Sequence, residues 1–394
     1  MIDLAASFGD ELHDVLRTAA LEGPVVTDSV SGAVVVLRHA DVERLAHDPR
    51  LGGVGLAFFD FMGIDDGPLR DWYGGLMFTN EGAEHGRLRS LVSRAFTPRA
   101  VSALRDRAAA LTAGAVAPIA SDGGGDLVAA LGRVPIRLMC HLIGVPDDDV
   151  EQFGGWADDL SPIFGFMDDA QIAAGTAAIG GMLGYCEGLA EAAGRKPGPD
   201  LITALLAAEH EGDRLTHDEL VSMVANLIVG GHDTTASQLG CTLLTLLRHT
   251  DEARRLRDDP GLLGSAVSET IRYEPSIPAV PRTCTDVIEV GDTELAAGTL
   301  VLLSTAAANR EHGVWADPDS VDVARFTDAH APRLLSFGAG VHYCLGAALA
   351  RLTVEEVVRG VLALGPTIKP AEDPWQLPWR SVLGRSPASL PVTL

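Results

Sequence analysis

Apolar residues recur at helical spacing along most of the chain. The periodicity predicts amphipathic or buried helices over 83–96, 100–119, 172–192, 218–247, 260–273 and 346–364. Strand signals are short and few: 34–37, and 300–304 after a glycine-containing turn at 296–298. No internal repeat and no long Gly/Ser- or Pro-rich linker divides the sequence. The pattern therefore predicts a mostly α protein. One large domain over 1–394 is expected, with its β-containing part at about 20–60 and 280–305 and helices in the remainder.

The segment 218–247 departs from ordinary helix chemistry. A helix of this length would run about 45 Å, the span of a whole domain. Its flanks are apolar nearly all round, which predicts burial, but its middle reads Gly230-Gly231-His232-Asp233-Thr234-Thr235. Each glycine costs about 1 kcal/mol inside a helix, and a buried aspartate is costly unless paired. Such a break at midpoint is expected where a ligand lies against the backbone. A kink with capped polar groups is the plainer alternative.

A second segment runs from Ser336 to Gly346 and leads into the helix at 346–364. Gly338, Gly340 and Gly346 allow tight turns and a close approach to a bulky ligand. Cys344 lies just before the helix N-terminus, where the dipole and free N–H groups favour a thiolate. It could be a nucleophile, an axial metal ligand or a buried, inert cysteine. The glycine spacing is not that of a dinucleotide fold. A third segment places Glu269 and Arg272 three apart on a helix, a pairing that is common and alone says little.

Composition narrows the classes. The formal charge is −24 and the pI near 4.7, which counts against nucleic acid and anionic membranes as partners. One stretch runs the other way: 84–107 holds Arg87, Arg89, Arg94, Arg99, Arg105 and Arg107 against two acids. The five cysteines are widely spaced and form no CxxC pair, so neither a disulfide framework nor a zinc site is expected. A reducing, cytoplasmic home fits that usage. There is no signal-peptide pattern at the N-terminus and no run of 18 apolar residues.

In order and spacing, the three segments together resemble the cytochrome P450 family of haem-thiolate monooxygenases. The carriers are Gly230-Gly231-x-Asp233-Thr234-Thr235, Glu269-x-x-Arg272 and Phe337-Gly338-x-Gly340-x-His342-x-Cys344-x-Gly346. His85 and Arg89 resemble the family's His-x-x-x-Arg helix. Ala307 to Arg310, Asp317 to Phe326 and Ser389 to Val392 extend the likeness, which runs from about residue 80 to the end and is similar to the bacterial, unanchored branch. Two prolines common before the His-x-x-x-Arg helix are replaced by Gly82-Ala83, and Glu311 stands where Asp is usual.

The resemblance implies a cytochrome P450-like fold holding haem b, with Cys344 as axial thiolate and Gly346 closing the same loop. It implies that His85, Arg89, Arg282 and His342 hold the haem propionates. Gly230 and Gly231 would admit dioxygen, and Asp233 with Thr234 would relay protons. His232 is expected to be packed or solvated. Glu269, Arg272 and Arg325 would form a structural ion network. The reaction implied is insertion of one oxygen atom into a largely apolar small molecule, with electrons from a ferredoxin and its reductase, since the chain has no flavin or iron–sulfur segment. The arginine-rich stretch would then meet that acidic partner.

Val229, Ile277, Ala279, Val280, Val382 and Leu383 are expected to line the substrate pocket. Phe78 is expected there too, as part of an aromatic group (Phe58, Phe59, Phe61, Trp72, Tyr73 and Phe78) that reads either as an apolar lid or as core. Phe164, Phe166 and Met167 form a second lid candidate. A peroxygenase, a non-catalytic haem sensor and a haem-free cysteine hydrolase are the rival readings; the pair Asp233-Thr234 weighs against the first.

Overall fold

The computed structural model describes residues 1–4, 9–165, 167–208, 212–381 and 384–394. Long helices dominate it. The central helix, His217–Arg248, begins at a capping box: the Thr216 hydroxyl accepts the Glu219 N–H, and the Glu219 side chain accepts the Thr216 N–H. Asp218 and Glu219 in the first turn and Arg248 in the last complement its dipole. Most of its residues are buried, as its apolar flanks require. Around it pack Val134–Ile143, Asp169–Arg195, Leu263–Tyr273 and Ala347–Leu362.

The predicted helices are present, with one division. The segment 100–119 is split into Pro98–Ser102 and Arg105–Asp122. Thr97 caps the first piece, Pro98 opens it, and the break buries both Val101 and Leu104. At 260–273, a 3₁₀ turn, Pro260–Leu262, precedes the helix proper. Two short core helices were not predicted. Val134–Ile143 is apolar except for one narrow polar face, the exposed pair Arg137 and His141. Val150–Leu160 carries Gly154-Gly155 at its middle, which weakens its helix signal.

The main sheet joins distant segments. In spatial order its strands are Val25–Thr27, Val34–Val36, Leu300–Leu303, Val280–Cys284 and Leu51–Gly52. Val34–Val36 runs parallel to Leu300–Leu303, with Val34 opposite Val301; the other pairings are antiparallel. Arg282 sits opposite Val301 in this register. Strands also occur outside the two expected stretches, at Gly124–Asp126, Lys369–Pro370, Trp379–Ser381, Arg385–Pro387 and Pro391–Thr393. Among the described residues no helix is long and apolar enough to cross a membrane.

Candidate active site

The loop that carries Cys344 is held from below. Asn309 accepts the Leu335 N–H at 3.0 Å and donates to the Ser336 hydroxyl at 2.7 Å, which donates to the Ile271 carbonyl at 2.9 Å. The Cys344 N–H donates to Phe337 O at 2.9 Å, closing the loop. Gly338 and Gly340 adopt φ of 71° and 67°, where a side chain is strained, and a Cβ on Gly340 would run into the Ala46 carbonyl. Cys140, Cys186, Cys241 and Cys284 are buried, and Cys344 alone among the five is exposed.

That exposed sulfur lines an internal cavity of about 270 Å³. Desolvation pushes its thiol pKa up. The N–H groups of Gly346 and Ala347 and the Arg89 charge pull it down, but do not outweigh burial. The helix N-terminus thus favours the thiolate, as expected, against the opposing effect of burial. A coordinated metal ion would supply the missing positive charge.

Phe337, Gly338, Cys344 and Gly346 share the cavity wall with Gly230, Gly231 and Thr234 of the central helix, and with Ile277, Val280, Arg282 and His342. These expected residues, far apart in sequence, are brought together. Pro135, Leu138 and Met139, on the helix Val134–Ile143 that was not predicted, add to the wall with Leu349 and Thr353. Phe78, Val229 and Ala279 are not on this lining, and Val382, Leu383 and Phe166 lie outside the described residues. Phe59, Trp72 and Tyr73 are buried in the main core, with Phe78 packed against it; the Phe59 and Tyr73 rings lie 4.9 Å apart. These four aromatics therefore serve core packing.

Arg282 and His342 line one edge of the cavity; His85 and Arg89, not on the lining, stand behind them. The His85 and His342 rings lie 4.3 Å apart. His342 meets Glu81 at 2.9 Å, and Arg89 donates to the Tyr343 carbonyl. Burial, then the charges of His342 and Arg89, lowers the His85 pKa to about 4. Burial likewise lowers Arg282 and Arg89, and Glu81 and Cys344 respectively only partly offset it. The His85 Nε2 atom is buried without a hydrogen-bond partner. Such a cluster, with so little negative charge among its neighbours, is suited to an anionic ligand.

On the central helix, the Thr234 hydroxyl donates to the Gly230 carbonyl at 2.8 Å, one turn back. A Cβ on Gly230 would meet nothing within 4 Å, whereas one on Gly231 would lie 2.6 Å from the Met139 methyl. Asp233 is buried: one oxygen accepts the Gly384 N–H at 3.2 Å, and the other faces Arg380 at 3.7 Å. Arg380 went unnoticed in the sequence because nothing local links the C-terminal hairpin to the central helix. His232 turns away from the cavity to Asp158, 2.9 Å off. Burial alone would raise the Asp158 pKa, but the His232 and Arg133 hydrogen bonds more than reverse it.

Glu269 and Arg272 are both fully buried and form a two-pronged pair at 2.7 and 2.9 Å. Arg325 adds contacts at 3.0 and 3.1 Å, and Arg272 also donates to the Asn309 and Pro318 carbonyls. Asn309 thus links this network to the cysteine loop. In the arginine-rich stretch, Arg87 pairs with Glu84, Asp213 and Glu219, Arg105 with Glu355 and Glu356, and Arg107 with Asp147. Arg94 and Arg99 remain exposed.

The comparisons with known proteins agree with this geometry. A family model described as "Cytochrome P450" matches residues 187–260 and 261–363. Nocardicin C N-oxygenase of Nocardia uniformis subsp. tsuyamanensis is 37% identical over 91% of this chain and 89% of its own length. Vitamin D(3) 25-hydroxylase of Pseudonocardia autotrophica is 33% identical over 99% of this chain and 95% of its own. The crystal structure of CalO2 matches with a TM-score of 0.88 at 30% identity, covering 99% of both chains. The chain belongs to the cytochrome P450 family and is an oxygen-incorporating oxidoreductase.

Proposed function

We propose that the protein is a monooxygenase that holds haem b through Cys344 and inserts one atom of dioxygen into a largely apolar small molecule. The observation that carries this is the free Cys344 sulfur on a cavity wall edged by an under-neutralised basic cluster. The residues present fit the group: an apolar cavity suits a flat porphyrin, and the unpartnered His85 Nε2 suits its carboxylates. Bound haem would supply the activation of dioxygen, and the protein supplies binding, orientation and protons.

His85, Arg89, Arg282 and His342 would bind the two carboxylates with charge-assisted hydrogen bonds. Gly230 leaves room beside the backbone for a small ligand. The Thr234 hydroxyl, now donating to Gly230 O, can rotate towards the cavity it lines. Asp233 is placed to resupply protons from the Arg380 side, where Arg380 is 38% exposed to solvent. Ile277, Val280 and Leu138 present apolar surface to substrate. Electrons would come from a ferredoxin and its reductase, with exposed Arg94 and Arg99 offering local positive charge on an acidic protein.

Turnover of an apolar substrate with a surrogate ferredoxin and reductase under isotope-labelled dioxygen tests the reading. One labelled atom is expected in the product and the other in water. Product whose new oxygen comes from solvent would contradict it.

A further inference from the structure

A second cavity, about 350 Å³, lies away from the cysteine loop. Its walls are the C-terminal end of the central helix, the helix Thr250–Asp258 and the end of Ala347–Leu362. Leu243, Leu246, Val358, Val361 and Ile368 make the interior aliphatic. Its rim is polar and carries Arg254, Arg257 and Asp258. Arg254 is engaged by Asp251 at 2.6 Å. Arg257 has no such partner: its Nε is buried without a hydrogen bond, and no hydrogen bond or ion pair engages it among the described residues.

The chain holds 54 acidic and 30 basic side chains, yet none of the described acids engages Arg257. A buried, unpaired donor is unfavourable, and a guanidinium matches a carboxylate in shape as well as charge. We propose that this cavity is a binding site for an aliphatic carboxylate, its chain among the leucine and valine side chains and its head group on Arg257. The site is distinct from the oxygenase cavity and does not depend on the monooxygenase reading.

Calorimetric titration of the haem-loaded protein with decanoate, and separately with decanol, tests it while the Soret band is followed. Decanoate is expected to bind in a phase that leaves the band unmoved. Its affinity should fall about tenfold or more in Arg257→Gln, the scale of one lost charged hydrogen bond. Arg257→Lys should restore part of it, and Val361→Phe, which fills the cavity, should abolish the phase. Decanol should bind wild type and Arg257→Gln alike. Absence of a Soret-silent phase, equal decanoate affinity in Arg257→Gln, or decanol binding as tightly as decanoate would overturn the proposal. If the protein held no haem, the monooxygenase reading would fail while the calorimetric comparison kept its meaning.

Discussion

At the scale of single residues, the central helix separates two jobs that adjacent positions could confuse. Thr234 faces the cavity, while Asp233 is buried behind it, between the Gly384 N–H and Arg380. Replacing Thr234 by Ala should leave folding intact and divert electrons from product to reduced oxygen species. Thr234→Ser should restore most of the coupling, because it keeps the hydroxyl. Product formed per electron consumed is the readout, and unchanged coupling in Thr234→Ala would remove the relay role. Cys344, Asp233, Thr234 and the basic cluster were legible because motif residues carry their own identity and spacing. Arg380 and Met139 were not: each reaches the site through tertiary packing that leaves no local trace.

Among elements, the ion network under the cysteine loop links three chain segments. Glu269 accepts from Arg272, Arg325 and the Asp322 N–H, and Arg272 reaches the Asn309 carbonyl. Truncating one member strands the opposite charge in a dry site. Glu269→Gln should therefore cost about 3–5 kcal/mol, read as a lower urea midpoint with loss of haem. Gly340→Ala should also weaken haem retention, because the Ala46 carbonyl occupies the space of the new methyl group; unchanged retention would show that the loop can move aside. Helices with one polar face were readable from periodicity. Val134–Ile143 has a polar face too, Arg137 and His141 one turn apart, but at ten residues it carries only that one pair to mark the period. The aromatic group at 58–78 shows a different limit: composition left lid and core equally open, and only packing could show that Phe59, Trp72 and Tyr73 belong to the core.

Across the whole molecule, the two ends of the chain meet at a buried charge cluster. His13 in the N-terminal helix Gly9–Glu22 lies 3.0 Å from Glu274, which Arg385 of the C-terminal hairpin also contacts. Burial, then the Arg310 charge, lowers the His13 pKa to about 4. Burial pushes the Glu274 carboxyl up, but Arg385 and His13 together hold it well below its usual range. In the unfolded chain His13 returns to about 6.5. Between these values the unfolded state binds the extra proton. Stability is therefore full above pH 6.5 and falls as pH drops towards 4, by on the order of 1 kcal/mol per pH unit for one proton. Glu274 adds a further loss at lower pH, as the unfolded carboxyl takes up its proton first. Urea midpoints across that range should fall less steeply in His13→Gln; parallel curves would rule out the coupling.

The acidic surface gives a related expectation at this scale. Charge reversal at Arg94 or Arg99 should slow reduction by a ferredoxin and flatten its salt dependence in stopped-flow traces. Unchanged rates would move the docking surface elsewhere. The internal pairing of Arg87, Arg105 and Arg107 was invisible in a one-dimensional count of charge, since all their acids but Glu84 come from other segments.

The central claim, that the Cys344 sulfur bonds to haem iron, is tested most directly by the absorption spectrum of the reduced protein under carbon monoxide. A strongly red-shifted Soret band is predicted for the wild type, with its loss in Cys344→Ser. A haem-loaded protein whose band sits at the unshifted position, or a Cys344→Ser variant that keeps the shift, would contradict the account.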